Sequence, residues 1–230
     1  MPYWKDDKEL FAIAKRELFT ALVGDVLDKL GFLKQFLPPE IKPLRPDMVV
    51  IGRAMPVLES DIPNENRVEA GNPLLNKPFG LMFEALDDLH EDEVYICTGS
   101  LNPYALWGGL MTTRALRLKA AGAVVDGYLR DTLQILEVNF PAFCKGTYAQ
   151  DQGPRGRVAD FRIPIEWDGI RICPGDIVFG DLDGVLVVPG EVEEAAFSGA
   201  IEKGRGEKQV LKALQEGMSS ADAFRKFGIM

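Results

Sequence analysis

The stretch from Trp107 to Gln134, WGGLMTTRALRLKAAGAVVDGYLRDTLQ, constrains the fold of this chain more than any other. It opens on Gly108 and Gly109. Leu110, Met111, Ala115, Leu116, Leu118 and Ala121 then recur at helical spacing, and Gly122 stands where a helix C-cap glycine belongs. Ala123-Val124-Val125 is a short apolar run that reads as a buried strand, with Arg130 and Asp131 just beyond it. Val94-Tyr95-Ile96-Cys97 reads as another strand ahead of the glycines. In a parallel β-α-β unit both strands end at the same sheet edge. The glycine loop and Arg130-Asp131 are therefore expected to face each other across a crevice.

That juxtaposition implies a chemistry. Backbone N–H groups at the start of a helix make an anion site. Arg130 adds a planar fork for a carboxylate or phosphate. Asp131 brings the opposite charge, which an anionic ligand alone would repel. A divalent cation held by Asp131 and by ligand oxygens reconciles the two, so the expected ligand is a small oxo-acid bound through a metal.

Composition limits the alternatives. The chain has 230 residues, 47% apolar and 27% charged, as in an ordinary globule. No apolar run approaches the roughly 20 residues that span a bilayer, and MPYWKDDKELF lacks a signal-peptide core. A net charge of −9 argues against nucleic acid or an anionic membrane as partner. Cys97, Cys144 and Cys173 lie far apart without metal-ligand spacing, and an odd count points to a reducing, cytoplasmic compartment. The single histidine, His90, reads as an exposed turn residue. Its isolation excludes His-rich zinc sites and leaves oxygen ligands, hence Mg²⁺ or Mn²⁺.

Along the chain, residues 8–30 read as helical, ended by Gly31, with Thr20 placed to cap a second helix. Asp25 within it is either a surface carboxylate or one aimed at the crevice. Met48 to Leu58 reads as a strand, with Gly52 placed to make a bulge. Glu59 to Pro78 reads as a long loop, and Phe79 to Leu89 as a short helix. After Arg130-Asp131, Ile135 to Val138 is one helical turn, Phe140 to Cys144 a strand, and Gly146 to Asp160 a polar loop. Phe161–Ile165, Ile170–Ile172, Ile177–Phe179 and Val185–Val188 are short β runs separated by turn signals, which predicts an antiparallel or barrel-like sheet. Pro189-Gly190 opens a helical tail, with Glu191, Glu193 and Glu194 suited to its dipole and Ser219 or Ser220 capping a last helix. No linker or repeat divides the chain, so one domain is expected over 1–230, with a core of about 19–189 and a tail of about 190–230.

Several of these pieces resemble one known family. ALWGGLMTTRALRLKAAGAVVDGYLRD, FPAFCKG and PGDIVFGDLDGVLVVP, with FTALVGDVLDKLG and IGRAMPV more weakly, are similar to the family named for a regulator of ribonuclease E activity. That family includes the 4-hydroxy-4-methyl-2-oxoglutarate/4-carboxy-4-hydroxy-2-oxoadipate aldolases. The resemblance implies a three-layer β/β/α swivelling domain, assembled as a homotrimer or hexamer with sites between subunits. It implies that the amides of Gly108, Gly109, Leu110 and Met111 bind the substrate carboxylate, that Arg130 contacts the substrate, and that Asp131 anchors Mg²⁺ or Mn²⁺. It also implies an acidic residue at Asp25 reaching the metal through water, and a glutamate from a neighbouring subunit, for which Glu191, Glu193 and Glu194 are candidates.

Two departures stand out. Aldolases of the family often carry an acid where this chain has Gly109, and another where it has Gln134. The expected activity is a metal-dependent lyase that releases pyruvate from a small 2-oxo acid and decarboxylates oxaloacetate. The alternative is a regulatory binding protein that docks on and inhibits an enzyme.

Overall fold

The computed structural model describes residues 2–62 and 77–228, which form two compact units, Lys34–Gly190 and Met1–Leu33 with Glu191–Met230. The larger unit is built on one mixed sheet of eight strands. Its path runs β1 (Lys42–Pro43), β7 (Ala142–Cys144), β5 (Gly122–Val125), β3 (Glu93–Thr98), β2 (Val50–Asp61), β12 (Ile177–Gly180) and β13 (Val185–Val188). The eighth strand, β9 (Gly156–Phe161), pairs with the far half of β2. Strands β7, β5, β3 and β2 are mutually parallel, and β1, β9, β12 and β13 run against their neighbours. The chain at 35–43 nearly closes the sheet: Leu37 N–H donates to the Val185 carbonyl at 2.8 Å, while Lys42 pairs with Cys144 on β7 at the other end.

The period-2 pleat sorts the apolar residues onto two faces. Met55, Val57, Tyr95, Cys97, Ala123, Val125 and Ala142 join one core with α3 (Met82–Asp87), α4 (Gly109–Arg117) and α5 (Thr132–Glu137). Ala54, Val94, Ile96, Val124 and Phe143 join the other, covered by the antiparallel hairpin β10 (Ile165–Trp167) and β11 (Ile170–Ile172). The layers are hairpin, sheet and helices, the β/β/α arrangement expected. A second small sheet, parallel throughout, orders β4 (Ala105–Trp107), β6 (Tyr128–Leu129) and β8 (Gly146–Thr147).

The smaller unit is helical: α1 (Asp7–Glu17), α2 (Thr20–Lys29), α6 (Glu193–Gln215) and α7 (Ser220–Phe227). Asp6 and Ser219 cap α1 and α7 by accepting the Glu9 and Asp222 N–H groups. Gly199 lets α6 approach α2, since a Cβ there would stand 2.9 Å from Val26 Cγ1. No helix among the described residues is long and apolar enough to cross a membrane.

Several local expectations are corrected. Gly122 is the first residue of β5, and α4 ends earlier, at Leu118, with Lys119 in the left-handed region at φ 61°. Gly52 is regularly paired with Val178; its lack of a Cβ serves a close approach to the Asp92 carbonyl, and the bulge of β2 lies at Leu58/Glu59. β2 runs three residues past Leu58, and the rest of the loop read as Glu59 to Pro78 lies outside the described residues at 63–76. The run read as Phe161–Ile165 is the end of β9 and the start of β10. The helix after Phe19 starts at Thr20 without a side-chain cap.

Trp107 ties the layers together. Its indole is fully buried, stacks on Phe140 at 5.8 Å, meets Tyr95 at 5.0 Å, and donates from Nε1 to Thr112 Oγ1 at 2.7 Å. Trp107→Ala should therefore cost about 3–5 kcal/mol of unfolding free energy, read from denaturant midpoints.

Candidate functional site

The site is built where β4 and β6 end side by side. These strands are parallel, with Trp107 in register with Leu129 and Arg130 N–H donating to the Trp107 carbonyl at 3.0 Å. The segments leaving the two strands must then meet at one edge: Gly108 and α4 after β4, Arg130 and Asp131 after β6. The expected crevice exists, but β4 and β6 carry it, whereas the sequence pattern places it directly on the longer strands.

Asp131 adopts a left-handed conformation, φ 57° and ψ 34°, which costs a non-glycine residue about 1 kcal/mol. That turn swings its carboxylate onto α4, where Oδ2 accepts the Gly109 N–H at 3.0 Å. The Gly109 amide is therefore engaged by Asp131 in this structure. Leu110 and Met111 come next in the first turn, whose N–H groups have no carbonyl ahead of them in the helix. Gly108 is needed for space, because a Cβ there would stand 2.9 Å from Asp131 Oδ2 and 3.3 Å from Arg130 Cγ. A Cβ at Gly109 would stand 2.2 Å from Gln134 Oε1. The two positions that depart from the aldolase pattern are thus in contact, and one cannot change without the other giving way.

Arg130 is half-exposed and held by Asp151, whose Oδ1 accepts from Nη1 at 2.6 Å, while Nε lies 3.9 Å from Asp131 Oδ2. Asp151 Oδ2 in turn accepts the Gly153 N–H at 3.0 Å. Sequence reasoning missed Asp151, because it sits in what reads as a featureless polar loop, 20 residues from Asp131. These groups line a cleft of about 380 Å³ together with Gly108, Leu110, Met111 and Gln152.

Beneath the cleft lies Glu59, a second residue the sequence reading missed. It continues the alternation Met55, Val57 onto the helix-covered face and is buried. That alternation was the available signal. Glu59 Oε2 accepts from Gln152 Nε2 at 2.6 Å, whereas Glu59 Oε1 and the Tyr95 hydroxyl have no hydrogen-bond partner among the described residues. Burial pushes the Glu59 carboxyl up to about 8, opposed by the Gln152 hydrogen bond and reinforced by Asp61, so it is neutral at pH 7.

Asp25 lies on α2 in the helical unit, where Lys203 pairs with it. Glu191 is in a 3-10 turn, and Glu193 and Glu194 begin α6. Cys97 and Cys144 are buried free thiols, and His90 is exposed, beside Arg162 and Glu93.

Among the described residues no three His, Cys, Asp or Glu side chains converge as a metal cluster. A hard dication of the Mg²⁺ kind does not need one, since it takes one or two carboxylates and completes its shell with water and substrate oxygens. Asp131, whose carboxylate is partly exposed and uses Oδ2 for the Gly109 N–H, fits that requirement through its oxygen donors.

A helix start, an arginine and an aspartate thus share one cleft of a β/β/α fold. The chain belongs to the RraA-like family, described as Aldolase/RraA, whose model matches residues 20–187. A Halalkalibacterium halodurans protein provisionally named 4-hydroxy-4-methyl-2-oxoglutarate aldolase is 31% identical over 211 residues, 91% of this chain and 90% of that one. Protein DlpA of Legionella pneumophila is 30% identical over 204 residues, 89% of this chain; the chain spans 31% of DlpA's length. The crystal structure of Streptomyces coelicolor RraAS2, an unusual member of the RNase ES inhibitor RraA family, matches with a TM-score of 0.74. It is 22% identical, covers 90% of this chain and 98% of its own, and shows the shared fold.

The raised Glu59 carboxyl gives a pH test of the structure. Between its ordinary value of 4.5 and about 8, the folded chain holds a proton that the unfolded chain has lost. Stability contributed by the neutral acid is complete below 4.5 and declines as pH rises towards 8. Glu59→Gln, which stays neutral, should lack that decline, so its denaturant midpoint should gain on wild type steadily from pH 5 to pH 8.

Proposed function

We propose that this protein is a divalent-metal-dependent C–C lyase that releases pyruvate from a small 2-oxo acid by aldol cleavage, with oxaloacetate decarboxylation as a side activity. The observation that carries the reading is the 3.0 Å hydrogen bond from Gly109 N–H to Asp131 Oδ2, which brings helix start, arginine and carboxylate to one point. The family membership and the name of the Halalkalibacterium relative support it.

The chain's own groups have distinct parts in this reaction. The Leu110 and Met111 amides, at the positive end of α4, hold the substrate carboxylate. Asp151 fixes one edge of the Arg130 guanidinium and leaves the remaining N–H groups for the 2-oxo oxygen, where charge grows as the enolate forms. Asp131 would hold Mg²⁺ or Mn²⁺, which when bound supplies Lewis-acid stabilisation of that charge. Among the cleft-lining residues there is no lysine for a Schiff base. Asp25, or a glutamate at 191, 193 or 194 contributed by a neighbouring subunit, is proposed to help move protons, as the resemblance implies; Asp25 is paired with Lys203 in this structure. A homotrimer or hexamer and a cytoplasmic location belong to the same reading.

Incubation with oxaloacetate and Mg²⁺ or Mn²⁺ should yield pyruvate, and chelator should abolish it. Asp131→Asn keeps an acceptor for the Gly109 N–H and tolerates the left-handed turn, so it should fold as wild type yet lose about 100-fold or more in kcat/KM. Absence of chelator-sensitive turnover would instead favour a regulatory protein that binds and inhibits an enzyme.

A further inference from the structure

We infer that the substrate carries an apolar group, alkyl or aryl, at the end remote from its 2-oxo acid head, because the cleft that begins at Arg130 and Asp131 continues between aromatic and aliphatic walls. The inference rests on the lyase reading and specifies its substrate class. Arg130 joins Asp131 and Asp151 in one group of charges, with Gln152 next to Asp151 in the chain. Phe79, Met82, Phe83, Leu86, Leu106 and Met111 make up most of the remaining wall, which also holds the Arg114–Asp87 ion pair. At about 380 Å³ the space is on the scale that holds a drug-sized ligand, more than a pyruvate unit fills.

The wall is held in place. Phe79 sits in the left-handed region at φ 63°, a strained conformation for a bulky residue, and its carbonyl accepts the Val158 N–H at 3.0 Å. Its ring meets Phe83 edge-on, with centroids 5.8 Å apart. Phe83 is nonetheless 54% exposed and Leu110 86%, so apolar surface remains for a ligand to cover.

Charge points the same way. The charged lining has two cations, Arg114 and Arg130, against three anions, Asp87, Asp131 and Asp151. Both cations are engaged, Arg130 by Asp151 and Arg114 by Asp87, each at 2.6 Å. One dication and one substrate carboxylate can be balanced there. Among the described lining residues, the further cation that a second carboxylate carried along this wall would meet is Arg114, which is already shared with Asp87.

In the cleavage the C3–C4 bond breaks and its electron pair remains on C3 as the enolate of pyruvate. C4 leaves as an aldehyde after its hydroxyl gives up a proton, and a proton then returns to C3. The test is a panel of 4-hydroxy-2-oxo acids assayed for pyruvate with Mg²⁺: the adducts of pyruvate with pentanal and benzaldehyde, and the dicarboxylate formed with glyoxylate, with oxaloacetate alongside. The apolar adducts should exceed the dicarboxylate in kcat/KM by about 10-fold or more, and Phe83→Arg should shrink or reverse that ratio. Solution mass of wild type and Phe83→Arg is measured in parallel and should agree.

Turnover of the dicarboxylate and oxaloacetate in preference to the apolar adducts would overturn this inference and leave the lyase reading standing. No pyruvate from any compound would overturn both. A change of mass in Phe83→Arg with unchanged substrate preference would show that the wall is covered by a second copy of the chain, and would also overturn the inference.

Discussion

The site depends on a pairing of two very short strands. β4 and β6 contribute three residues and two, yet their parallel register sets the ends of both at the same edge. Neither strand could persist alone, because so few backbone hydrogen bonds do not offset the entropy of ordering the chain. They persist because Trp107 is anchored beneath them by Phe140, Tyr95 and Thr112. The indole thus links the core to the cleft: a packing contact fixes β4, β4 fixes β6, and β6 delivers Arg130 and Asp131 to the start of α4.

From that pairing the electrostatics arise. A carboxylate near a helix start is favourable in itself, since it accepts an N–H at the positive end of the dipole. Asp131 does this through a left-handed turn, and Gly108 and Gly109 leave the space it needs. Arg130 is shared between two carboxylates, closer to Asp151 at 2.6 Å than to Asp131 at 3.9 Å. Beneath them Glu59, kept neutral by burial, supports Gln152 next to Asp151. A neutral acid suits that position, because a charge there would add to the negative wall above it.

Much of this frame was legible in the residues. The strand, glycine loop, helix and strand of the central unit announced themselves through apolar runs and turn residues, and the antiparallel hairpins through the spacing of their turns. The pairing of Gly108 with Asp131 came from the rule that parallel strands end together. Asp151 and Gln152 were not legible, since a polar loop carries no period and their partners lie 21 and 93 positions away. Glu59 was half-legible: the strand reading stopped at Leu58, one residue before the alternation that would have buried it. Gly122 misled because a glycine between helix and strand serves either as a cap or as a place where chains pass closely, and here the Pro141 carbonyl and a Val50 methyl stand where a Cβ would go.

Composition and periodicity alone determined the class of the chain, its parallel β-α-β heart, and the pair of charges beside a glycine-led helix, because these depend on local spacing along the backbone. Tertiary structure decided which groups hold Arg130, which acid is buried beneath the cleft, and that an apolar wall continues from the charged end. Those depend on contacts between residues distant in the chain, where register, burial and the absence of a Cβ are set by the packed whole.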